Sequence, residues 1–283
     1  MKANLTDWIV FSNIFIAACA VVMVAQTDQL VLHTPSNQHY LWFVFFSSIC
    51  SYNFHWWLTP QSVIRSPRID WATRYRAIHL ILFMIGLAGA AYFFFFLLPF
   101  WAGLLATAIA TFLYSAPKIP HPWFRALRKV ALGKTIFLSF IWMNVTTILP
   151  IWISGLSWNT EMWLFIISRY FMIYAVCILF DYRDREDDRE AGVRSLVTFL
   201  TSRKIYILFF ISIFIYAIST IALIFYGFPF YIVLVLLLPA ILLLVLYRFA
   251  TRHFSDFFYY VVLDGMMALP SIIGLIINAW IIG

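Results

Sequence analysis

Ten consecutive residues, Asp181-Tyr182-Arg183-Asp184-Arg185-Glu186-Asp187-Asp188-Arg189-Glu190, hold half of the twelve acidic residues of a chain that is 64% hydrophobic. They follow directly on an apolar run ending Tyr174-Ala175-Val176-Cys177-Ile178-Leu179-Phe180. If the helix of that run continues through them, Asp181, Asp184 and Asp188 fall within an arc of roughly 60°, at about 100° per residue. Three carboxylates on one face repel, and a hard divalent cation such as Mg²⁺ relieves the repulsion. These three are the candidate metal ligands, with Asp184 and Asp188 the candidate catalytic pair. The competing reading is a solvated helix of alternating charge, in which Asp181 pairs with Arg185.

The elements that would position this face are apolar. With 30 Phe, 15 Tyr and 12 Trp and only 11% charged residues, the composition is that of a polytopic membrane protein. Nine segments reach or approach the ~20 helical residues that cross a bilayer: 8–25, 40–58, 77–97, 100–116, 134–153, 162–180, 205–226, 228–247 and 257–282. They predict an all-α bundle of nine transmembrane helices in a single domain over residues 1–283. Pro99 and Gly227-Phe228-Pro229 predict tight turns between successive spans. The first segment reads as a span rather than a signal peptide, because its charged leader is one Lys offset by Asp7. Cys19, Cys50 and Cys177 lie inside apolar runs without metal-ligand spacing and read as packed thiols.

The net charge of +7 comes from loops, not from a nucleic-acid-binding face. Arg65, Arg68, Arg74 and Arg76 lie between spans two and three. Lys118, Arg125, Arg128, Lys129 and, at its edge, Lys134 lie between four and five. Arg183, Arg185, Arg189, Arg194, Arg203 and Lys204 lie between six and seven, and Arg248 and Arg252 between eight and nine. The alternate loops carry no Lys or Arg. The positive-inside rule then predicts a multi-pass protein of the cell (inner) membrane, with its N-terminus cytoplasmic and its C-terminus outside.

A carboxylate cluster ringed by basic residues at the edge of an apolar bundle suits a phosphorylated lipid. The run from Asp181 through Asp184, Asp188, Gly192 and Ser195 to Leu196 resembles the second Asp-rich motif of the UbiA-type prenyltransferase superfamily, roughly D-x-x-D-x-x-x-D-x-x-x-G-x-x-T-L, with Ser195 in place of Thr. Tyr114-Ser115-Ala116-Pro117-Lys118 is similar to the family's Y-S/T-x-P stretch after its fourth helix. The resemblance implies a nine-helix bundle, Mg²⁺ as cofactor, and transfer from a prenyl diphosphate donor to an aromatic or other lipophilic acceptor. It also implies substrate contacts from Asn53, Arg68, Tyr114, Lys118, Arg125, Arg183 and Arg194.

The family's first motif, about N-D-x-x-D-x-x-x-D, is degenerate here. Aligned on Asn53, it puts Phe54, Trp57 and Gln61 at the three Asp positions. The resemblance therefore carries a second expectation, a catalytically impaired homologue that binds a lipid diphosphate or stabilises a membrane complex. His55 reads as a structural residue among tryptophans rather than a metal ligand. Arg169 and Asp264, both within spans, read as helix-locking charges, with a direct pair between them one option. A CDP-alcohol phosphotransferase is set aside because Arg185 and Glu186 follow Asp184 where that pattern needs other residues. A transporter is disfavoured by the concentration of charge on one side.

Overall fold

The computed structural model describes residues 4–59, 66–119, 121, 123–124, 133–190 and 195–282, with side chains to residue 277. The described residues form helices and no strand. In chain order the helices are α1 (Leu5–Phe11), α2 (Ile14–Thr27), α3 (Gln38–Leu58), α4 (Pro67–Arg74), α5 (Arg76–Phe94), α6 (Trp101–Ser115), α7 (Lys134–Met143), α8 (Leu149–Ser154), α9 (Thr160–Arg183), α10 (Arg185–Glu190), α11 (Leu196–Phe199), α12 (Ser202–Ala222), α13 (Phe230–Ala250) and α14 (Asp264–Ile282). Wider π-type turns adjoin three of them, at Asp28–Leu32, Asn144–Ile148 and Phe258–Leu263. Seven helical stretches among the described residues are long and apolar enough to span a membrane. The protein is therefore an all-α, multi-pass membrane bundle.

The difference from nine arises at two places. Arg76–Lys118 counts as one stretch of 43 residues, yet it is not straight. Backbone angles leave helical values at Leu97 (φ −115°, ψ 15°) and at Phe100 (φ −107°, ψ 14°), on either side of Pro99. The Phe54 ring lies 5.3 Å from Phe83 and 6.1 Å from Phe112. In one straight helix at about 1.5 Å per residue those two rings would stand roughly 43 Å apart. The chain thus folds back at Pro99, and α5 and α6 run antiparallel. The second place is α3, long enough at 21 residues but diluted by Ser, Asn, Gln and His.

The first span also begins later than expected. Asn13 adopts a left-handed conformation (φ 69°) and ends α1, so the membrane-length stretch is Ile14–Leu32. Asn tolerates this geometry better than most residues, and the Asn13 amide is fixed from outside. It donates to Asn53 Oδ1 at 3.1 Å and accepts from Arg68 Nη2 at 2.7 Å. The turn at residues 227–229 is found as expected, with Gly227 at φ 91°.

Helix α3 packs antiparallel to α5 and the turn after it through rings that step in opposite directions, His39 on Phe96, Phe46 on Phe93 and Phe54 on Phe83. Gly86 sets their separation. A Cβ there would meet the Cys50 backbone nitrogen at 2.5 Å and the Phe46 carbonyl oxygen at 2.9 Å. Backbone atoms cannot rotate away, so Gly86→Ala is expected to cost about 2 kcal/mol through overpacking. The check is the midpoint of thermal unfolding in detergent; an unchanged midpoint would mean that the helices can separate freely.

Candidate active site

A cavity of about 1670 Å³ opens inside the bundle, lined by residues of α2, α3, α5, α6, α7, α9 and α14. Much of its wall is apolar or aromatic, including Tyr40, Val44, Phe94, Leu104 and Leu149. Charged residues gather where α3, α6 and α9 end and α7 begins. Asp181, Asp184, Asp187 and Asp188 all line it, as do Tyr114, Lys118, Lys134 and Arg183. Antiparallel helices bring Lys118, Lys134 and Arg183 to this one mouth, and among the described residues no other Lys or Arg lines the cavity.

The acidic stretch does not continue α9 as a regular helix. Asp184 sits at a break between α9 and α10 (φ −83°, ψ 3°), although Asp188 N still donates to Asp184 O at 2.9 Å. The simple arc of three carboxylates is therefore altered at its middle member. Nor does Asp181 pair with Arg185. It is buried, accepts a short hydrogen bond from Thr135 Oγ1 and lies 3.7 Å from Lys134 Nζ. The same ammonium lies 3.2 Å from Asp188, so Lys134 spans the outer two acids. Asp184 instead takes Arg183 Nε at 2.7 Å, and Arg183 Nη2 also donates to the Tyr260 hydroxyl at 3.0 Å. Burial works to raise the Asp184 carboxyl, but the adjoining guanidinium outweighs it and holds the group below the usual range. Asp188 is pushed up by burial, which Lys134 only partly offsets.

Lys118 stands on another wall of the mouth. Its Nζ is 2.6 Å from His55 Nε2 and donates to Thr59 Oγ1 at 2.6 Å. His55 Nδ1 lies 3.1 Å from Ser115 Oγ, and its ring stacks on Tyr114 with centroids 5.6 Å apart. An ammonium on Nε2 leaves that nitrogen as acceptor, so the imidazole is neutral with its proton on Nδ1. His55 is thus the seat of a lysine, a role that neither composition nor spacing indicated.

Two expected substrate contacts lie behind the wall. The Asn53 amide is fully used inside the protein. It donates to Ser12 O and Ile49 O, and accepts from Asn13 and from His79 Nδ1 at 2.6 Å, leaving no donor for a ligand. Arg68 is 1% exposed. Its guanidinium packs on Trp56 (4.2 Å), Phe11 (5.0 Å) and Tyr260 (5.4 Å), and its backbone N–H donates to Asp256. Burial lowers that guanidinium to about 10, so it stays charged. Both residues fasten helices rather than face the cavity. Arg125 and Arg194 lie outside the described residues. Arg169 and Asp264 do not pair: Arg169 bonds Gln26 at 2.7 Å, whereas Asp264 lines the cavity.

Of the three positions that would carry a first acidic cluster, Gln61 lies outside the described residues and the other two pack as aromatics. Phe54 joins Phe83 and Phe112, and Trp57 lies under Arg76 at 5.5 Å. Among the described residues, no three acidic, His or Cys side chains converge to cage an ion. The donor set nevertheless fits Mg²⁺ arriving with a phosphate. Described cavity-lining carboxylates outnumber Lys and Arg seven to three, so an anionic head group needs an added cation. In phosphate chemistry Mg²⁺ takes only one or two carboxylates, with water and phosphate completing its shell.

A helical membrane protein with a large apolar cavity under an acid-rich, lysine-bearing mouth is thus the class that fold and site define. The profile of the UbiA prenyltransferase family matches residues 58–256, and the chain belongs to that family. The match begins just beyond Phe54 and Trp57, where the first acidic cluster is missing. No curated protein and no solved structure matches the chain.

Proposed function

We propose that this protein is a membrane prenyltransferase, moving a prenyl group from a polyprenyl diphosphate to an aromatic or other lipophilic acceptor with Mg²⁺ assistance. The observation that carries this reading is the cavity itself, charged at one mouth and apolar below. Its volume exceeds the roughly 300–1,000 Å³ of common ligand pockets, as a long chain beside a second substrate requires. Mg²⁺ on Asp184 and Asp188, with Asp181 behind them, would neutralise the diphosphate and ease its departure. Lys118 and Arg183 hold the head group from their walls and Tyr114 borders the reacting carbon; the family resemblance adds Arg125 and Arg194, outside the described residues, as further head-group contacts. By the charge asymmetry of the loops this mouth faces the cytoplasm of the inner membrane, with the N-terminus inside and the C-terminus outside. Aromatic rings along the wall shield the electron-poor allylic carbon.

A second reading is favoured by the aromatic packing of Phe54 and Trp57: a relative that binds the lipid diphosphate without turning it over. Purified protein with farnesyl or geranylgeranyl diphosphate and a panel of hydrophobic phenols separates the two. Mg²⁺-dependent diphosphate release with prenylated product supports transfer. Donor binding without release, gained only on combining Phe54→Asp, Trp57→Asp and Gln61→Asp, supports the binding protein instead.

A further inference from the structure

We propose that Asp264 is the catalytic base on the acceptor side, and that the acceptor's nucleophilic atom carries a proton, as in a phenol or an electron-rich arene. This rests on the transfer reading above.

Asp264 lines the cavity at the start of α14. No hydrogen bond or ion pair ties its carboxylate to any described residue, unlike Asp181, Asp184 and Asp188. A carboxylate within a membrane-length helix is costly unless it faces a polar cavity or has a task. Its level is fixed by Tyr260, which meets Arg183 at the mouth. Four residues further along the chain, across a wider turn with a smaller rise than an α-helix, Asp264 stands roughly 5 Å below the charged ring. The wider turn over Phe258–Leu263 ends directly before it, a feature that often marks functional sites. Tyr52, held by Trp142 Nε1 at 3.0 Å, borders the same space.

Displacement chemistry puts the nucleophile there. With the diphosphate at the mouth, the allylic carbon lies just below it, and attack comes from the face opposite the departing oxygen. The incoming atom waits roughly 3–3.5 Å beyond that carbon, a turn below the mouth. The allylic C–O bond breaks with its electron pair leaving on diphosphate. A bond forms between the acceptor atom and the allylic carbon, and that atom's proton passes to Asp264, then to water at the mouth.

Asp264→Asn keeps the shape and removes the basicity. Prenylation of naphthol or hydroquinone with geranylgeranyl diphosphate is expected to fall by about 100-fold or more in kcat, with the KM for the diphosphate donor kept within about twofold. Asp264→Glu should recover part of the transfer. Thermal unfolding of Asp264→Asn should be unchanged or raised, since a side chain with no hydrogen bond to any described residue gives way to an amide of the same shape. Wild-type-like prenylation by Asp264→Asn, a loss carried by the donor KM rather than by kcat, or a marked drop in stability would each overturn the assignment alone. A wild-type chain that releases no diphosphate from any donor overturns the transfer reading, and this assignment with it.

Discussion

Asp188→Ala and Asp184→Ala are each expected to abolish diphosphate release, lowering it by about 1000-fold, the scale on which removing a preorganised electrostatic contact acts. Each removes an oxygen ligand from a cavity whose described carboxylates outnumber its Lys and Arg. Their wild-type environments differ, so the variants should differ in a second respect. Asp184 holds Arg183, which also reaches Tyr260, so losing it frees a guanidinium and should weaken donor binding as well. Asp188 shares Lys134 with Asp181, so its loss leaves that ammonium one partner. Binding of the donor should therefore suffer less in Asp188→Ala than in Asp184→Ala. Turnover within tenfold of wild type in both would remove these acids from the chemistry.

Lys134→Met is expected to act on stability first. The ammonium lies between two largely buried carboxylates, with side-chain exposures of 9% at Asp181 and 13% at Asp188. Taking one partner from a buried ion pair strands charge, and partial exposure of the lysine moderates the loss to about 2 kcal/mol. The sign should reverse for metal. With the ammonium gone, the acids lack a cation, and Mg²⁺ alone should raise the unfolding temperature of the variant more than that of the wild type. Unfolding in chelator and in millimolar Mg²⁺ measures both effects. Equal responses to Mg²⁺ would show that Lys134 does not occupy ground a metal would use.

The sequence revealed the scaffold better than the side-chain partnerships. All nine apolar segments fall on helices, because long apolar runs state their own structure, and the reversal at Pro99 falls at a residue that lacks a backbone donor and disfavours a regular helix. The acidic run at the end of α9 and the one-sided Lys and Arg were also visible, since both are local in sequence. Partnerships across the bundle were not. Lys134 looked like the edge of a basic loop and proves to bridge Asp181 and Asp188. Asn53 and Arg68 looked like ligands and prove to be bound by Asn13, Trp56 and other residues distant in the chain. The break at Asp184 and the left-handed Asn13 depend on tertiary hydrogen bonds that helical periodicity does not encode. Asp264 carried a signal, an acid inside a span, but its facing could be read only from coordinates.

The most direct measurement is an experimental structure of the full chain with Mg²⁺ and a non-reactive farnesyl diphosphate analogue. The head group is expected at the mouth, touching Lys118 and sharing a metal with Asp184 and Asp188, with the hydrocarbon running down past Leu104. An analogue bound outside this cavity, or a head group seated there with both acids turned from it, would contradict the account.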